Sequence, residues 1–351
     1  MTKRAAIILS GGKAERFQRK QKKWQDKALV EIFGKPLLIH AVDKVQDLTE
    51  EIVIIVNDEI RKAQYSKVLA EHGIENVKLS IDEKIDHLGG PIVAIFSGLR
   101  SVEADYCLTL PCDMPFLQPK VIEYMFSKAT DSRVVVPMWP NGRLETLLMV
   151  LERKSVLEIV NTLCSLMRPR SDDIMRGALD VLFVSIMGQI NVLDPELKSF
   201  VNINAPEDIS KLEPRRVQGS FTEDMRLNLG SLPVSVLQGL RDTVILRKSG
   251  KFLRASGIFS ICAAQLENEN SFFWAALSRE NEGKSLLEWI QQRNKPNFNF
   301  GQISRFNRAL QRAACNYELE AKLHEKNRII FLAERARSDK SWCESRRIKT
   351  L

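Results

Sequence analysis

The sequence predicts an α/β protein with a mostly parallel sheet and helices on both faces, followed by a mainly α-helical C-terminal region. Three observations predict it. Short β-branched or apolar runs alternate with segments of helical length through the first two hundred or so residues. Strand signals thin out after Pro214, where long helical patterns take over. The charge balance shifts at the same place. From Arg215 onward there are 24 Lys and Arg against 14 Asp and Glu, leaving 28 against 30 in the rest. A length of 351 residues is comfortable for two domains, here 1–214 and 215–351.

Residues 5–9 are a continuous apolar run before a Gly-Gly turn, as expected of a buried first strand. Residues 36–45 read as a helix opened by proline. The β-branched run 52–56 is a strand, and 59–72 is a helix stopped by Gly73. Strand 77–81, helix 91–102, strand 106–110 and helix 120–128 continue the alternation, with further short strands at 134–136 and 147–151. The order is Rossmann-like, and sheets of that kind bind ligands at the carboxyl ends of their strands. In the C-terminal half, 271–278 and 286–293 have helical patterns. Residues 304–336 run without Gly or Pro, with Phe306, Leu310 and Ala313 on one face and Leu319, Leu323, Ile330 and Ala333 sharing a face further on. This predicts a helical hairpin or small bundle reached through a linker at 215–231.

Composition narrows the function classes. Hydrophobic residues make up 44% and charged residues 27%, which is ordinary for a globular protein. No apolar run is long enough to span a membrane, and the first one is too short for a signal peptide, so a cytoplasmic location is expected. Six cysteines without a Cys-x-x-Cys pair, and only four histidines, argue against a zinc site. The net charge of +8 comes from the C-terminal half, which reads as a solvated helical surface first and as a face for something anionic second. With no helix-turn-helix, zinc-finger or aromatic RNA-binding motif, nucleic acid is not an expected partner. A protein partner or self-association through the C-terminal helices is compatible with the pattern.

Four strand ends carry residues suited to chemistry. Leu9-Ser10-Gly11-Gly12 follows the first strand, and Gly11 and Gly12 would let backbone N–H groups approach a phosphate. Arg16 can fork onto phosphate oxygens, and Lys27 in Asp26-Lys27 can act as a point charge on a second phosphate. Asp113, in Cys112-Asp113-Met114-Pro115-Phe116-Leu117, is placed either to hold Mg²⁺ or to cap the next helix. Asp82 precedes Gly89-Gly90-Pro91, which opens a helix either for a ligand or as ordinary capping. Asn202 and Asn204 lie two apart in an extended segment before Pro206. There they can orient a ribose, coordinate a metal or simply form a turn.

In sequence order these motifs resemble the molybdenum cofactor guanylyltransferase family, the MobA-like nucleotidyltransferases. The resemblance rests on Leu9-Ser10-Gly11-Gly12, Arg16, Asp26-Lys27, Gly34-Lys35-Pro36-Leu37 and Gly90-Pro91-Ile92-Val93-Ala94-Ile95. It continues through the unchanged Cys112-Asp113-Met114-Pro115-Phe116-Leu117 and Asn202-Ile203-Asn204-Ala205-Pro206-Glu207-Asp208, and so spans about residues 5–212. It implies a Rossmann-like fold and Mg²⁺-dependent transfer of GMP from GTP to the terminal phosphate of molybdopterin, with release of pyrophosphate. It implies nucleotide binding by Leu9, Ser10, Gly11, Gly12, Lys27, Asn57, Asp82 and Asp113, with Asp113 as metal ligand. Arg16, Lys27 and Asp113 would be the catalytic set, and Asn202 and Asn204 would lie on the acceptor side. Related cytidylyltransferases carry Ala-Gly where Gly11-Gly12 stands, which leans the resemblance towards guanine. The chain departs from the family at Phe17-Gln18, where Met-Gly is usual, and at Thr146, where many relatives have proline. The alternatives are a sister transferase with another phosphorylated acceptor and a non-catalytic nucleotide-binding adaptor.

Overall fold

The computed structural model describes residues 2–10, 26–85, 87–203, 217–219, 221–292 and 300–348. The chain divides into one unit of Met1–Cys164 with Arg168–Asn228 and a second of Ser165–Met167 with Leu229–Leu351. No helix of the described residues is long and apolar enough to cross a membrane.

The first unit begins with β1 (Arg4–Leu9), a hairpin of β2 (Glu31–Ile32) and β3 (Lys35–Pro36), and helix α1 (Leu37–Val45). Then come β4 (Glu51–Val56), α2 (Glu59–Glu71), β5 (Lys78–Ile81), α3 (Pro91–Ser101), β6 (Tyr106–Pro111) and α4 (Pro119–Ser127). It is completed by β7 (Val134–Met138), β8 (Met149–Glu152), α5 (Arg153–Ser165), α6 (Asp172–Ala178), β9 (Asp180–Ser185) and β10 (Met225–Asn228). The main sheet has the order β10-β9-β7-β8-β6-β1-β4-β5. β1 pairs in parallel with β4 and β6, and β4 in parallel with β5. Burial on both faces explains why residues 5–9 read as an unbroken apolar run.

The sheet is more mixed than the sequence suggests. β8 runs antiparallel to both β6 and β7, because a loop rather than a crossover helix joins β7 to β8. β10 adds antiparallel to β9, within the stretch read as a linker, so the sheet carries the first unit to Asn228 rather than to residue 214. Helices α5 and α6 and strand β9 were not anticipated. α6 is short, and it buries Asp172, Asp173 and Arg176.

Alternation along β1 assigns the two core faces. Ala6 and Ile8 share a cluster with Leu38 and Val42 of α1, Tyr65 and Leu69 of α2, and Val121 and Met125 of α4. Ile7 faces the other side, against α3. There a Cβ on Gly98 would lie 2.3 Å from Ile7 Cγ2, so only glycine lets α3 come this close to the sheet.

The second unit consists of α7 (Val234–Lys248), α8 (Phe252–Asn268), α9 (Phe272–Gln292), α10 (Phe300–Lys326) and α11 (Ile330–Ser345), with α8, α9, α10 and α11 packed in succession. The two helical patterns expected at 271–278 and 286–293 merge, over the described residues, into one continuous helix, α9. Its Gly283 sits against Leu310 of α10. The stretch 304–336, expected to form a helical hairpin or small bundle, is divided between two packed helices, α10 and α11. Arg328 takes a left-handed φ of 58°, Arg328 N–H donates to Glu325 O, and Ile329 N–H donates to His324 O. This is a Schellman stop with arginine where glycine is usual and with Ile329 buried behind it, so no breaker residue announced it.

Gly98→Ala should lower unfolding stability by about 1–3 kcal/mol through overpacking. Urea unfolding of a double-mutant cycle with Ile7→Ala checks the cause, since Ile7→Ala should cost less when Gly98→Ala is already present.

Candidate active site

The carboxyl ends of β1, β4, β5 and β6 open on a cleft of about 590 Å³. Leu9 and Ser10 follow β1, Asn57 follows β4, Asp82 follows β5, and Cys112 and Asp113 follow β6. Lys27 enters from the turn before β2. Leu9, Ser10, Lys27, Asn57, Asp82 and Asp113 thus line one cavity, although they span more than a hundred positions in sequence. Gly11, Gly12, Arg16, Asn204 and the Phe17-Gln18 segment lie outside the described residues.

Lys27 is fixed by the residue before it. Asp26 is buried; its Oδ1 accepts from Ala28 N–H at 3.1 Å, capping the turn. Its Oδ2 accepts from Tyr65 OH at 3.1 Å and pairs with Arg61 Nε at 3.1 Å. Because the carboxylate can only accept, Tyr65 donates to it and its own oxygen is left to accept from Ser10 Oγ at 2.8 Å. Burial, then the neighbouring Asp26 carboxylate, raises the Tyr65 pKa far above that of a free phenol, so it stays a donor. Arg61 and Tyr65 lie four apart on one face of α2. Neither stood out in the sequence, where each looks like an ordinary helix residue.

From this anchor Lys27 Nζ reaches Asp113 Oδ2 at 2.6 Å, with both side chains about four-fifths buried. Asp113 Oδ1 makes no hydrogen bond among the described residues. Asp113 therefore does not serve as a helix cap, and its free oxygen is available to a ligand. Cys112 is buried. Burial, then the adjacent Asp113 charge, pushes its thiol up to about 12, which makes it inert packing rather than a nucleophile. Asp113 O accepts from Ile203 N–H at 2.9 Å, which ties the Asn202 segment to this loop. Asn202 does not line the cleft, and its buried Oδ1 has no hydrogen-bond partner among the described residues.

Asp82 sits across the cleft. Its N–H donates to Val56 O at 2.8 Å, continuing the β4–β5 ladder beside Asn57. Its Oδ1 is buried and has no partner among the described residues, and desolvation raises its pKa to about 6. The adjoining wall is Gly89-Gly90-Pro91, where Gly90 precedes α3 with φ of 89°, a conformation that favours glycine. Thr146, at one of the family departures, hydrogen-bonds through Oγ1 to Ser171 Oγ at 3.3 Å, and Leu147 beside it lines the cleft.

The arrangement offers a lysine–carboxylate pair at one end, a buried carboxylate at the other, and strand-end backbone between them, as suits a nucleotide with its charged tail towards Lys27. The family model of the MobA-like NTP transferase domain matches residues 6–178. A probable molybdenum cofactor guanylyltransferase of Pyrococcus horikoshii is 32% identical over 210 residues, covering 58% of this chain and 96% of that protein. Another, of Methanosarcina acetivorans, is 30% identical over 214 residues, covering 60% of this chain and 89% of that protein. The chain belongs to the MobA-like nucleotidyltransferase family. A crystal structure titled molybdopterin-guanine dinucleotide biosynthesis protein A, from Archaeoglobus fulgidus, is also similar. It has 22% identity and a TM-score of 0.48, covering 60% of this chain and 96% of that one. This MobA-like chain is therefore a nucleotidyltransferase, and its cleft is the candidate active site. The family model ends at residue 178, within the sheet-bearing unit, and the two guanylyltransferase relatives cover about three-fifths of the chain.

Asp82 binds its proton more tightly in the folded state, so ionising it costs stability. The cost is absent below the unfolded pKa near 3.8, grows as pH rises towards about 6 and is complete above that. Asp82→Asn should remove this term, so its stability relative to the parent protein should climb between pH 4 and pH 7. Urea unfolding at intervals across that range tests it, and a constant difference would refute the burial account.

Proposed function

We propose that this MobA-like enzyme transfers GMP from GTP to the terminal phosphate of molybdopterin and releases pyrophosphate. The observation that carries the reading is the pairing of two carboxylates in one cleft, Asp113 bound to Lys27 and Asp82 buried with an unpartnered oxygen. Guanine presents N–H donors on its Watson–Crick edge that a carboxylate can accept, whereas cytosine and uracil do not present the same pair. The names of the relatives from Pyrococcus horikoshii and Methanosarcina acetivorans support the same donor and acceptor.

In this reading an anionic oxygen of the acceptor phosphate attacks the α-phosphorus of GTP. A new P–O bond forms as the bond to the β-phosphate oxygen breaks, and the electron pair leaves with pyrophosphate. The attacking oxygen is already ionised, so no strong general base is needed. The protein's contribution is positioning and charge stabilisation. Lys27, oriented by Asp26, offsets charge on the phosphates, and Asp82 orients the base.

The donor set fits a divalent ion. Asp113 has one oxygen on Lys27 and the other free, and Mg²⁺ is commonly held by one or two carboxylates together with substrate phosphates and water. Asp113 would hold it, and the ion when bound supplies neutralisation of the triphosphate charge.

Pyrophosphate release with GTP, CTP and UTP, each with and without molybdopterin, tests the assignment. Release is expected with GTP and only when molybdopterin is present; preference for CTP or for another acceptor would overturn it. Asp113→Ala should lower kcat by about 10²-fold or more, by analogy with loss of one transition-state donor, with an unchanged circular dichroism spectrum. Asp82→Ala should weaken GTP binding by about 10–100-fold, the value of hydrogen bonds to a charged group. Calorimetric titration should also show affinity for GTP rising as pH passes upward through about 6, where the Asp82 carboxylate ionises.

A further inference from the structure

The helical unit holds a pocket of about 360 Å³ lined by residues of three of its helices. Gly257 and Ser260 of α8 form one wall, Glu282 of α9 contributes to the floor, and Arg305, Arg308 and Arg312 of α10 form the facing wall. The three arginines fall at positions i, i+3 and i+7 of a helix and so share a face, where like charges repel.

The pocket's charges do not cancel. Buried Arg279 forks onto Glu267, with Nε to Oε1 and Nη2 to Oε2 both at 3.0 Å, and reaches Glu282 Oε2 through Nη1 at 2.9 Å. Arg312 also uses Glu267, through Nη2 to Oε2 at 3.0 Å. Two guanidiniums thereby balance the two carboxylates. Arg305 and Arg308 are exposed and make no ion pair or hydrogen bond among the described residues, leaving two uncompensated positive charges on the pocket wall. Ser260 Oγ accepts from Arg279 Nη1 at 2.8 Å, so its own hydroxyl proton remains available to donate.

Gly257 provides an independent sign of a ligand space. It lies in the middle of α8, where glycine costs about 1 kcal/mol relative to alanine. No backbone requirement explains it, since its φ is not positive and an added Cβ would meet nothing within 4 Å. What the missing side chain leaves is open space opposite the arginines.

We propose that this pocket binds a small phosphate-bearing ligand. Two unpaired guanidinium forks and a hydroxyl donor match the oxygens of a phosphate dianion, and arginine is the side chain suited to bidentate contact with them. The volume lies within the range of small-molecule sites.

The test is phenylglyoxal modification of the full chain, mapped by mass spectrometry, with inorganic pyrophosphate or AMP as the probe and glutarate as a phosphate-free dianion. Saturating probe should slow modification of Arg305 and Arg308 by roughly tenfold, the occupancy factor at ten times Kd. Arg328, on the turn after α10, should be unaffected. Stronger protection by pyrophosphate assigns a free anion, and stronger protection by AMP assigns a phosphate carried on a larger molecule. Gly257→Leu fills the space from α8 without altering any charge, and should abolish protection while helicity and the unfolding midpoint are retained. Arg308→Gln, on the opposite wall, should weaken protection of Arg305 and leave nucleotidyl transfer unchanged. The proposal is overturned by unprotected Arg305 and Arg308, by equal protection of Arg328, by equal protection from glutarate, or by protection that survives Gly257→Leu.

Discussion

One buried carboxylate, Asp26, joins the catalytic edge of the sheet to the helix behind it. A buried charge is tolerable only when it is paired and hydrogen-bonded, and Asp26 has the Arg61 guanidinium, the Tyr65 hydroxyl and the Ala28 N–H. Through Tyr65 the network reaches Ser10 at the end of β1, and through the next residue, Lys27, it reaches Asp113 at the end of β6. Ser10 and Asp113 are therefore registered to each other twice. The β1–β6 pairing holds their strands, and the side chains above the strands link to α2. Losing any member would leave buried polar groups unsatisfied, and the position of Lys27 would suffer before the fold did.

That network works because the sheet delivers its strand ends together. Parallel pairing of β5, β4, β1 and β6 turns all four carboxyl ends to the same edge. The central strands β1 and β4 end in unbroken apolar runs, with Ser10 and Asn57 directly beyond them. Burial then differentiates the carboxylates. Among the described residues, Asp113 has Lys27 and remains open at one oxygen, while Asp82 has no cation partner and has its pKa raised by desolvation. Two side chains of the same type thereby acquire different surroundings, one held by an ammonium and the other withdrawn from water.

The helical unit uses buried charge differently. Arg279 sits at its centre with Glu267 and Glu282, and Tyr317 donates to buried Glu280. Such networks fix how helices pack, because a shifted helix would leave charges unpaired. Once the carboxylates are committed to Arg279 and Arg312, the remaining arginines of α10 are left facing an open pocket. The basic surplus of the C-terminal half is thus partly structural and partly displayed.

The sequence alone determined the alternating strands and helices of residues 5–128, because apolar runs and proline-opened helices are local signals. It also singled out Leu9, Ser10, Lys27, Asp82 and Asp113, which folding brings to one cleft, because motif order is preserved in the linear chain. It could not reveal the antiparallel β8 or the edge strand β10, since pairing direction depends on what the intervening loop allows. It could not reveal the end of α10 at Arg328, because a left-handed stop made without glycine is set by the burial of Ile329. Arg61 and Tyr65 were invisible for the same reason: a helix residue becomes a positioning residue only when folding brings it to Asp26. Tertiary structure decided the surroundings of Asp113 and Asp82, because a carboxylate's distance to a cation and its removal from water are not written in the order of residues.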